Sequence, residues 1–395
     1  MAVPKLRFKD SDGREFPEWE LCKLGGLFKE RSQRANGDEE LLSVTIEQGV
    51  LRQNDLARRI VSSEDKSNYK AVYKGDIAYN SMRMWQGAEG VSNYNGIVSP
   101  AYTIVVPKEN VSSKFFAYMF KTEKALYSFK KYSQGLTSDT WNLKYPLFSK
   151  VPSNIPSLPE QQKIADFLTT YDTMIDTQTK RVEAMKNRKK GLLQKIFSQE
   201  IRFRDDEGKD FPEWEEKKLC KCCTINPPSP KLPNTFIYID LESVKQGRLL
   251  AKKIVLAKDA PSRAQRKVIV GDVLFQTVRP YQKNNFIVKT PETIPMIAST
   301  GYSVLRCNKN NSGYIYHETQ TEKFSRNVQD RCTGGAYPAI TGKELGKIKI
   351  PLPSLPEQQK IADFLTAVDH QIEVEEKRLE TMKTIKKGLL QQMFI

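Results

Sequence analysis

Three short runs of the chain contain residue types that can carry out chemistry. The run NPPSP at 226–230 begins like the Asn-Pro-Pro-aromatic motif with which amino-methyltransferases hold a target amine, but Ser229 occupies the position of the aromatic ring. The run CKCC at 220–223 is spaced too tightly for a C-x₂-C zinc knuckle, and no second Cys/His pair follows at finger spacing. The run TGKELGK at 341–347 lacks the spacing of a phosphate-binding loop. We interpret the first run as a rigid turn and the cysteines as reduced structural thiols.

Other groups that could support catalysis are sparse. The histidines are His317 and His370, and His370 replaces Thr173 of an internal repeat. The sequence shows neither a Gly-rich strand-to-helix turn for S-adenosylmethionine nor a nuclease-like carboxylate cluster. The sequence therefore predicts a chain without catalysis, metal or cofactor of its own, and a free-standing enzyme is the disfavoured alternative.

The charge balance points to a polyanionic partner. The 395 residues include 63 Lys plus Arg against 47 Asp plus Glu, a net charge of +16. Nucleic acid is the commonest partner of such a surface, and a generally solvated basic surface is the alternative. No apolar run is long enough to span a membrane, the start has no signal-peptide core, and the six cysteines show no paired framework. We expect a cytoplasmic protein with no membrane partner.

The elements that must position these groups are written twice. The stretch PSLPEQQKIADFLT fills 156–169 and returns unchanged at 353–366, and residues 155–197 align with 352–394 without gaps. The run RFKDSDGREFPEWELCKL at 7–24 is echoed at 202–219. Between these markers GDIAYNSMR at 75–83 aligns with GDVLFQTVR at 271–279, a Gly-Asp turn followed by strand-like alternation. The chain is a tandem duplication of one variable domain and one nearly invariant segment.

The invariant segment predicts a long helix in each half. SLPE reads as a helix start with Ser157 as the capping residue, and the heptad pattern continues for about 38 residues, or roughly 57 Å. A single helix cannot bury such an apolar stripe alone, so the two copies should pack together, with polar interruptions such as Gln178, Glu375, Lys189 and Lys386 setting their register. The predicted packing residues are Ile164, Leu168, Tyr171, Ile175, Val182, Met185, Ile361, Leu365, Val368, Ile372, Leu379 and Met382.

The predicted fold class is α+β, with two mixed α/β domains separated by a pair of long antiparallel helices. The predicted divisions are a first variable domain at 1–155, a first spacer helix at 156–200, a second variable domain at 201–352 and a second spacer helix at 353–395. The offsets predict a pseudo-two-fold, pseudo-circular arrangement in which the C-terminus lies near the N-terminus.

The twice-written SLPEQQKIADFL, the GDI and GDV turns and the FPEWE at each start resemble the specificity subunit of type I restriction–modification enzymes. The resemblance covers essentially the whole chain; KVPSNIPSLPEQ in the first half is less regular than KIKIPLPSLPEQ in the second. It implies two target recognition domains that each read one half of a split, asymmetric site in double-stranded DNA. It also implies that the helices set the gap and dock two methyltransferase subunits, which carry S-adenosylmethionine, and that restriction subunits then join.

Residues identical in both halves are poor candidates for base readout if the halves read different sequences. For the shared Arg83 and Arg279 a phosphate contact and an internal salt bridge are both open. Arg83 and Arg279 are thus candidates for DNA binding as shared cations. Base readers should lie where the halves diverge, and the candidates there are Trp85, Gln86, Asn93, Tyr94, Asn95, Tyr281, Gln282, Lys283, Asn284 and Asn285. The basic stretches at 51–59 and 261–267 could follow phosphates. An ordinary polar loop is the alternative for each candidate, and a stand-alone bipartite DNA-binding regulator is the alternative for the whole chain.

Overall fold

The computed structural model describes residues 4–34, 39–56, 65–229 and 231–394. The chain divides into two compact units: unit 1 contains Met1–Thr179 and Arg378–Ile395, and unit 2 contains Lys180–Lys377. Each unit therefore holds one variable domain together with a part of both long helices. This division differs from the boundaries that the sequence pattern predicts, because each domain packs on both helices. Within the described residues, no helix combines the length and apolarity that crossing a membrane requires.

Unit 1 alternates short strands with short helices before the first long helix. Its strands are β1 (Glu20–Lys23), β2 (Phe28–Glu30), β3 (Leu42–Thr45), β4 (Gly49–Arg52), β5 (Lys70–Val72), β6 (Ile77–Asn80), β7 (Glu89–Val91), β8 (Gly96–Val98), β9 (Tyr102–Pro107) and β10 (Pro152–Ile155). Its helices are α1 (Leu24–Leu27), α2 (Ser113–Met119), α3 (Glu123–Tyr132) and α4 (Tyr145–Phe148), and the long helix α5 spans Leu158–Phe197.

The central sheet of unit 1 has the antiparallel order β2-β9-β6-β7. Ile77 and Tyr79 of β6 pack into an apolar core that also holds α2, α3, α4 and α5, while Ala78 faces a second core under the β3-β4 and β5-β8 pairs. The alternation predicted after the Gly-Asp turn is thereby confirmed, because successive side chains of a strand point to opposite faces. Ala78 is buried as well, since the sheet is covered on both faces.

Unit 2 repeats this plan with more strands. Its strands are β11 (Glu215–Lys218), β12 (Thr224–Ile225), β13 (Thr235–Ile239), β14 (Val244–Lys245), β15 (Arg248–Leu249), β16 (Lys253–Leu256), β17 (Ala264–Val268), β18 (Val273–Gln276), β19 (Phe286–Ile287), β20 (Met296–Ser299), β21 (Tyr302–Arg306) and β22 (Lys349–Leu352). Its helices are α6 (Leu219–Cys222), α7 (Ser312–Glu318), α8 (Glu322–Gln329) and α9 (Gly342–Lys347), and the second long helix α10 spans Leu355–Met393.

The sheets of unit 2 are ordered β12-β21-β18-β19 and β16-β13-β20-β17. Val273 and Phe275 of β18 face the core that contains α7, α8 and the long helices, whereas Leu274 faces the second sheet. Both units thus place one central strand, β6 or β18, between a helical layer and a strand layer.

The long helices pack antiparallel inside each unit. In unit 1 the start of α5 shares a core with the end of α10, and Asp172 lies 2.5 Å from Lys386. In unit 2 the end of α5 shares a core with the start of α10, and Lys189 lies 2.5 Å from Asp369. Two of the predicted polar interruptions, Lys189 and Lys386, therefore form equivalent ion pairs between the helices.

Most of the predicted packing residues are buried. The buried ones are Ile164, Leu168, Val182, Ile361, Leu365, Ile372 and Leu379. The partly exposed ones are Tyr171, Ile175, Met185, Val368 and Met382. Those five lie outside the two main apolar cores, as do the buried Val182, Ile372 and Leu379. The helices contain 40 and 39 residues, so each is about 60 Å long, close to the predicted length.

The predicted closeness of the chain ends is found within unit 1. The backbone N–H of Leu6 donates to the carbonyl of Gln392 at 3.0 Å, and the Trp19 and Phe394 rings meet edge to face with centroids 6.5 Å apart. The end of α10 thus occupies, for the first domain, the place that the end of α5 occupies for the second, where Phe197 meets Trp214.

A buried glutamate in the repeated stretch holds the start of each domain. Glu160 is 0% exposed and accepts bonds from Arg7 Nε at 3.0 Å and Nη2 at 2.7 Å. Glu357 is equally buried and is held by Arg202 at 3.3 and 3.1 Å, with Trp214 Nε1 donating at 2.9 Å. We call these pairs the arginine–glutamate clamps. The predicted capping role of Ser157 is not found, since its buried hydroxyl has no hydrogen-bond partner in the described part of the chain.

The next residues of the stretch hold the N-terminal end of a short helix in each unit, α2 in unit 1 and α7 in unit 2. Gln161 Oε1 accepts from the Ser112 N–H at 2.9 Å, and Gln358 Oε1 accepts from the Asn311 N–H at the same distance. Lys163 donates to the Lys9 carbonyl at 2.6 Å. The repeated letters thus mark one set of contacts that is built twice.

Removing Arg7 should destabilise the protein strongly. The substitution Arg7→Ala leaves the Glu160 carboxylate buried without its partner, and breaking such a pair costs about 3 kcal/mol or more. Urea unfolding followed by circular dichroism measures the change. Arg14→Ala is the matched control, because Arg14 is exposed and its ion pair with Asp12 is long. Equal shifts in the two variants would contradict a structural role for the clamp.

Candidate nucleic-acid interface

Two buried aspartates fix the turn that begins each central strand. Asp76 is held by Arg31 through bonds of 2.8 and 3.1 Å, and Asp272 by Arg306 through bonds of 2.9 and 2.7 Å. The glycine before each aspartate has a positive φ, which permits the tight turn. These equivalent ion pairs fix the starts of β6 and β18. The position of the residues at the end of each strand is therefore defined.

In unit 1 the end of β6 carries an aromatic cluster. Arg83 precedes a short 3₁₀ turn, Met84–Gln86, and the Trp85 ring meets Trp141 edge to face with centroids 5.1 Å apart. Lys130 Nζ lies 5.1 Å from the centroid of the Trp141 ring. Arg83, Trp85 and Gln86 are half-buried, and the Arg83 guanidinium forms no ion pair with a residue that the structure describes. We call Arg83, Trp85, Gln86, Lys130 and Trp141 strand-end cluster 1.

In unit 2 the end of β18 carries a cation over an aromatic ring. Arg279 has a left-handed backbone with φ of 52°, and its guanidinium lies 4.3 Å from the centroid of the Tyr337 ring. The backbone N–H of Arg279 donates to the Pro338 carbonyl at 2.8 Å. The Tyr281 and Tyr337 side chains are 52% and 66% exposed. We call Arg279, Tyr281, Gln282 and Tyr337 strand-end cluster 2; for Arg279 a cation–π contact takes the place of the salt bridge left open by the sequence.

Two loops that sequence reasoning missed complete these clusters. Residues 133–142 and 332–340 follow α3 and α8, and each loop closes on itself through a bridge, Gln134 with Asn142 and Thr333 with Ala339. Each then bonds back to the end of the central strand, by Leu143 N–H to Ser81 O and by Ile340 N–H to Thr277 O. The sequence signal for these loops is an aromatic residue, Trp141 or Tyr337, that follows a helix within a stretch containing glycine and threonine.

The other candidates of unit 1 lie at the opposite end of the central strand. The pairing of Ile77 with Val91 places the turn at 92–95 beside the start of β6. Asn95 Oδ1 accepts from the Lys74 N–H at 2.9 Å, and the Tyr94 ring lies 4.7 Å below the Arg52 guanidinium. Asn93 is exposed. Asn93, Tyr94 and Asn95 therefore do not share a surface with Arg83, Trp85 and Gln86.

Several candidates of unit 2 serve the scaffold. Asn285 is 1% exposed, with Oδ1 accepting from the Gln276 N–H and Nδ2 donating to Thr319, so it presents no edge to a partner. Asn284 accepts from the Gln246 N–H at 3.1 Å. Lys283 bonds the Gln320 carbonyl and lies 3.2 Å from Glu322. Among the six candidates of this unit, Arg279, Tyr281 and Gln282 retain exposed or unpaired groups.

The predicted phosphate-tracking stretches differ in what they present. In the first, Arg52 pairs with Glu40 at 3.1 Å, and residues 57–59 lie outside the described residues. In the second, Arg263, Gln265 and Lys267 are exposed along β17, which ends its sheet. Arg266 points inward, where burial lowers its pKa. The β17 edge is thus the better-formed basic strip.

Several of the groups weighed for catalysis are packed in the interior of unit 2, whereas Cys220 and His370 are exposed. All six cysteines are free, and Cys222 and Cys223 belong to the core of unit 2. His317 is 1% exposed, and its pKa is lowered by burial and by Lys189. Asn226 bonds Val304 and Ser303, which supports the turn interpretation. No group of three or more His, Cys, Asp or Glu side chains in the described ranges is arranged to hold a metal ion.

The chain has two duplicated domains whose strand ends differ, and a long helix that occurs twice. This arrangement is found in one family of proteins. Residues 17–187 and 243–384 match the model of the type I restriction modification DNA specificity domain. The chain belongs to this family. It is a specificity subunit, and the stand-alone regulator is not favoured.

The relatives of this specificity subunit match either nearly the whole chain or a part of it. It is 25% identical to the type I restriction enzyme MjaVIII specificity subunit of Methanocaldococcus jannaschii, with 97% of this chain and 94% of that protein covered. It is 26% identical to the HindI specificity subunit of Haemophilus influenzae over 41% of this chain and 36% of that one. The fold matches the specificity subunit of M. genitalium with a TM-score of 0.58 at 15% identity, covering 100% and 99% of the two chains. A chain from a structure of type I complex assembly matches with a TM-score of 0.59 at 15% identity, covering 96% and 98%.

One buried acid lies directly behind strand-end cluster 1 of the subunit. Glu89 pairs with Tyr79 across the sheet and is 0% exposed, and neither carboxylate oxygen has a hydrogen-bond partner among the residues that the structure describes. Burial raises the pKa of Glu89 to about 8, against the opposing effect of Lys121 at 3.9 Å. The folded protein therefore holds this carboxyl protonated at neutral pH, whereas the unfolded chain ionises it near pH 4.5.

This difference predicts a pH-dependent gain from Glu89→Gln. The raised folded pKa contributes stability fully below pH 4.5, and that contribution is lost as the pH rises toward about 8. Because Gln cannot ionise, the variant should melt at a higher temperature than the native protein at pH 8 and at the same temperature near pH 4. Thermal unfolding at several pH values measures this, with the exposed Glu183→Gln as the control. A pH-independent difference would show that the acid is not held protonated.

Proposed function

We propose that each unit of this specificity subunit reads one half of a bipartite, asymmetric site in double-stranded DNA. The observation that carries the proposal is the contrast between a shared frame and divergent ends. The aspartate–arginine pairs hold β6 and β18 alike, while the strands end in Trp85 with Trp141 in one unit and in Arg279 with Tyr337 in the other. Equivalent strands that end in different side chains are suited to recognising two different DNA sequences.

The chemistry of the tips fits DNA. Aromatic faces stack on bases or pack against sugars, and an arginine can pair bidentately with guanine. The exposed Arg263 and Lys267 on β17 add positive charge that suits phosphates, in keeping with the net charge of +16.

We assign chemistry to the partners rather than to this chain. Two methyltransferase subunits would bring S-adenosylmethionine and modify adenines in each half-site, and restriction subunits would join that complex. A chain of similar fold comes from a structure of type I complex assembly, which supports such partners in general. We retain 1–155 and 201–352 as the exchangeable recognition domains and 156–200 and 353–395 as the spacer helices.

Changing one strand-end cluster should alter one half-site. We expect Tyr337→Ala with Arg279→Met to relax or abolish the second half of the methylated motif and to leave the first half unchanged. Trp141→Ala with Trp85→Ala should do the reverse. Losing one well-made base contact costs about 1–3 kcal/mol, a roughly 10-fold or greater loss of discrimination. Single-molecule sequencing of DNA from cells that express the variant with its methyltransferase subunit gives the motif directly.

The control for this experiment is Tyr127→Ala, because Tyr127 is 69% exposed on α3 and belongs to neither cluster. Its methylated motif should be native in both halves. A change in both half-sites from either paired variant, with the protein folded, would refute one reader per unit.

A further inference from the structure

Two cysteines of unit 2 lie opposite each other at the edge of its central sheet. Strand β12 forms the edge of the sheet β12-β21-β18-β19 and pairs antiparallel with β21, with Thr224 opposite Arg306. One step outward along the same register places Cys223 opposite Cys307. Cys223 has an extended backbone, with φ of −147° and ψ of 156°, so it continues the line of β12.

The register also determines which kind of cross-strand pair the two cysteines form. The Asn226 N–H donates to the Val304 carbonyl at 2.8 Å, so these residues occupy a hydrogen-bonded position of the ladder. Hydrogen-bonded and non-hydrogen-bonded positions alternate, and Cys223 lies three residues before Asn226, at a non-hydrogen-bonded position. Residues paired in this way have Cα atoms about 4.5 Å apart, a distance that a disulfide can span.

The two thiols already meet in the reduced protein. They lie within hydrogen-bonding distance of each other, and this contact raises the pKa of Cys223 and lowers the pKa of Cys307. A hydrogen bond with Ser312 also lowers the pKa of Cys307, against the opposing effects of burial and of Asp272. Cys223 is buried and Cys307 is half-buried. Of the two, Cys307 is therefore the thiol that ionises more readily and that a small oxidant can reach.

The shared fold does not require cysteine at either position. The equivalent register of unit 1 pairs Phe28 of β2 with Pro107 of β9. Unit 1 contains a single cysteine, Cys22, so it cannot form such a pair. The facing thiols are thus a property of unit 2 and belong to the part of the chain in which the two domains diverge.

The two cysteines lie on strands whose mutual attachment is short. Strand β12 contains two residues, Thr224–Ile225, and it lies at the edge of its sheet, where local opening costs least. On the other strand, Arg306 precedes Cys307 and forms the ion pair with Asp272 that fixes the start of β18. A covalent bond between the cysteines would tie the edge strand to the strand that carries this arginine.

We propose that Cys223 and Cys307 are a reversible oxidation site, which closes into a cross-strand disulfide when the protein meets hydrogen peroxide. The Cys307 thiolate attacks the O–O bond, which leaves a sulfenic acid on its sulfur, and the departing hydroxide takes up the proton that Cys307 released to give water. The Cys223 thiol then attacks the Cys307 sulfur, the S–S bond forms, and the hydroxyl leaves with the Cys223 proton as a second water. The two thiols lose two electrons, and one peroxide is reduced to two waters.

Tryptic peptides of the full chain test the proposal directly. The purified chain is treated with hydrogen peroxide, its remaining thiols are blocked with N-ethylmaleimide, and it is digested without reductant. We expect peptide 222–231 to be linked to peptide 307–309, with a mass two hydrogens below the sum of the two, and dithiothreitol to separate them. The exposed Cys220 lies on its own peptide, 219–221, and its oxidation shows that the peroxide was active.

Serine variants identify the two sulfurs, because Cys222 and Cys223 share one peptide. Cys223→Ser and Cys307→Ser should each abolish the link, whereas Cys222→Ser should keep it. A link that survives in Cys223→Ser would overturn the proposal. So would a native chain in which Cys220 is oxidised while Cys223 and Cys307 are both recovered as N-ethylmaleimide adducts.

Thermal unfolding gives a second measurement that does not depend on peptide recovery. The bond would close a loop of the 85 residues from Cys223 to Cys307, so peroxide should raise the melting temperature of the native chain by roughly 10 °C. Dithiothreitol should reverse the rise. Cys307→Ser should melt like the native chain when both are reduced and should show no rise with peroxide. An equal rise in Cys307→Ser would contradict the assignment. The proposal concerns the free chain, so it stands or fails independently of the proposed function.

Discussion

The arginine–glutamate clamps are the constraint on which the rest of the structure depends. A carboxylate with no solvent exposure in the first turn of a helix is tolerable only if a cation and further donors meet it. Arg7 and Arg202 come from the start of each domain, far away in sequence. Each clamp therefore fixes where its domain begins relative to its helix. The neighbouring glutamine, Gln161 or Gln358, then fixes the start of a short helix, α2 or α7. One turn of the long helix thus positions both the first residues of the domain and this short helix.

From that fixed start, two copies of one frame carry different tips. The aspartate–arginine pairs at 76 and 272 repeat almost the same geometry, and the loops after α3 and α8 return to the strand end by equivalent backbone bonds. At these strand ends the side chains differ: unit 1 has a tryptophan pair, and unit 2 has an arginine over a tyrosine. The shared ion pairs and backbone bonds position the strand ends, and the side chains there provide the contacts. Those side chains can therefore change without disturbing the fold.

The repeat made the helices, the central strands and the meeting of the chain ends predictable. The spacing of apolar residues, repeated in both copies, predicts which side chains are buried, and Leu168 and Leu365 are examples. The site was less predictable, because loop polarity does not say which way a side chain points. Asn285 looks like its neighbours in sequence, yet it turns inward and satisfies a backbone N–H. Trp141 and Tyr337 reach the strand ends through loops whose path depends on long-range backbone bonds, which no local pattern records.

Duplication also raises the question of why the two near-identical helices pair in one direction. The ion pairs inside the units answer it. Asp172 and Asp369 are equivalent positions of the two copies, as are Lys386 and Lys189. A parallel, in-register pairing would place aspartate opposite aspartate and lysine opposite lysine, and like charges in a partly buried seam are repulsive. The antiparallel pairing joins each aspartate to a lysine at 2.5 Å. Because the same two positions of the repeat supply both ion pairs, one repeated sequence is sufficient to specify the antiparallel direction of the helices.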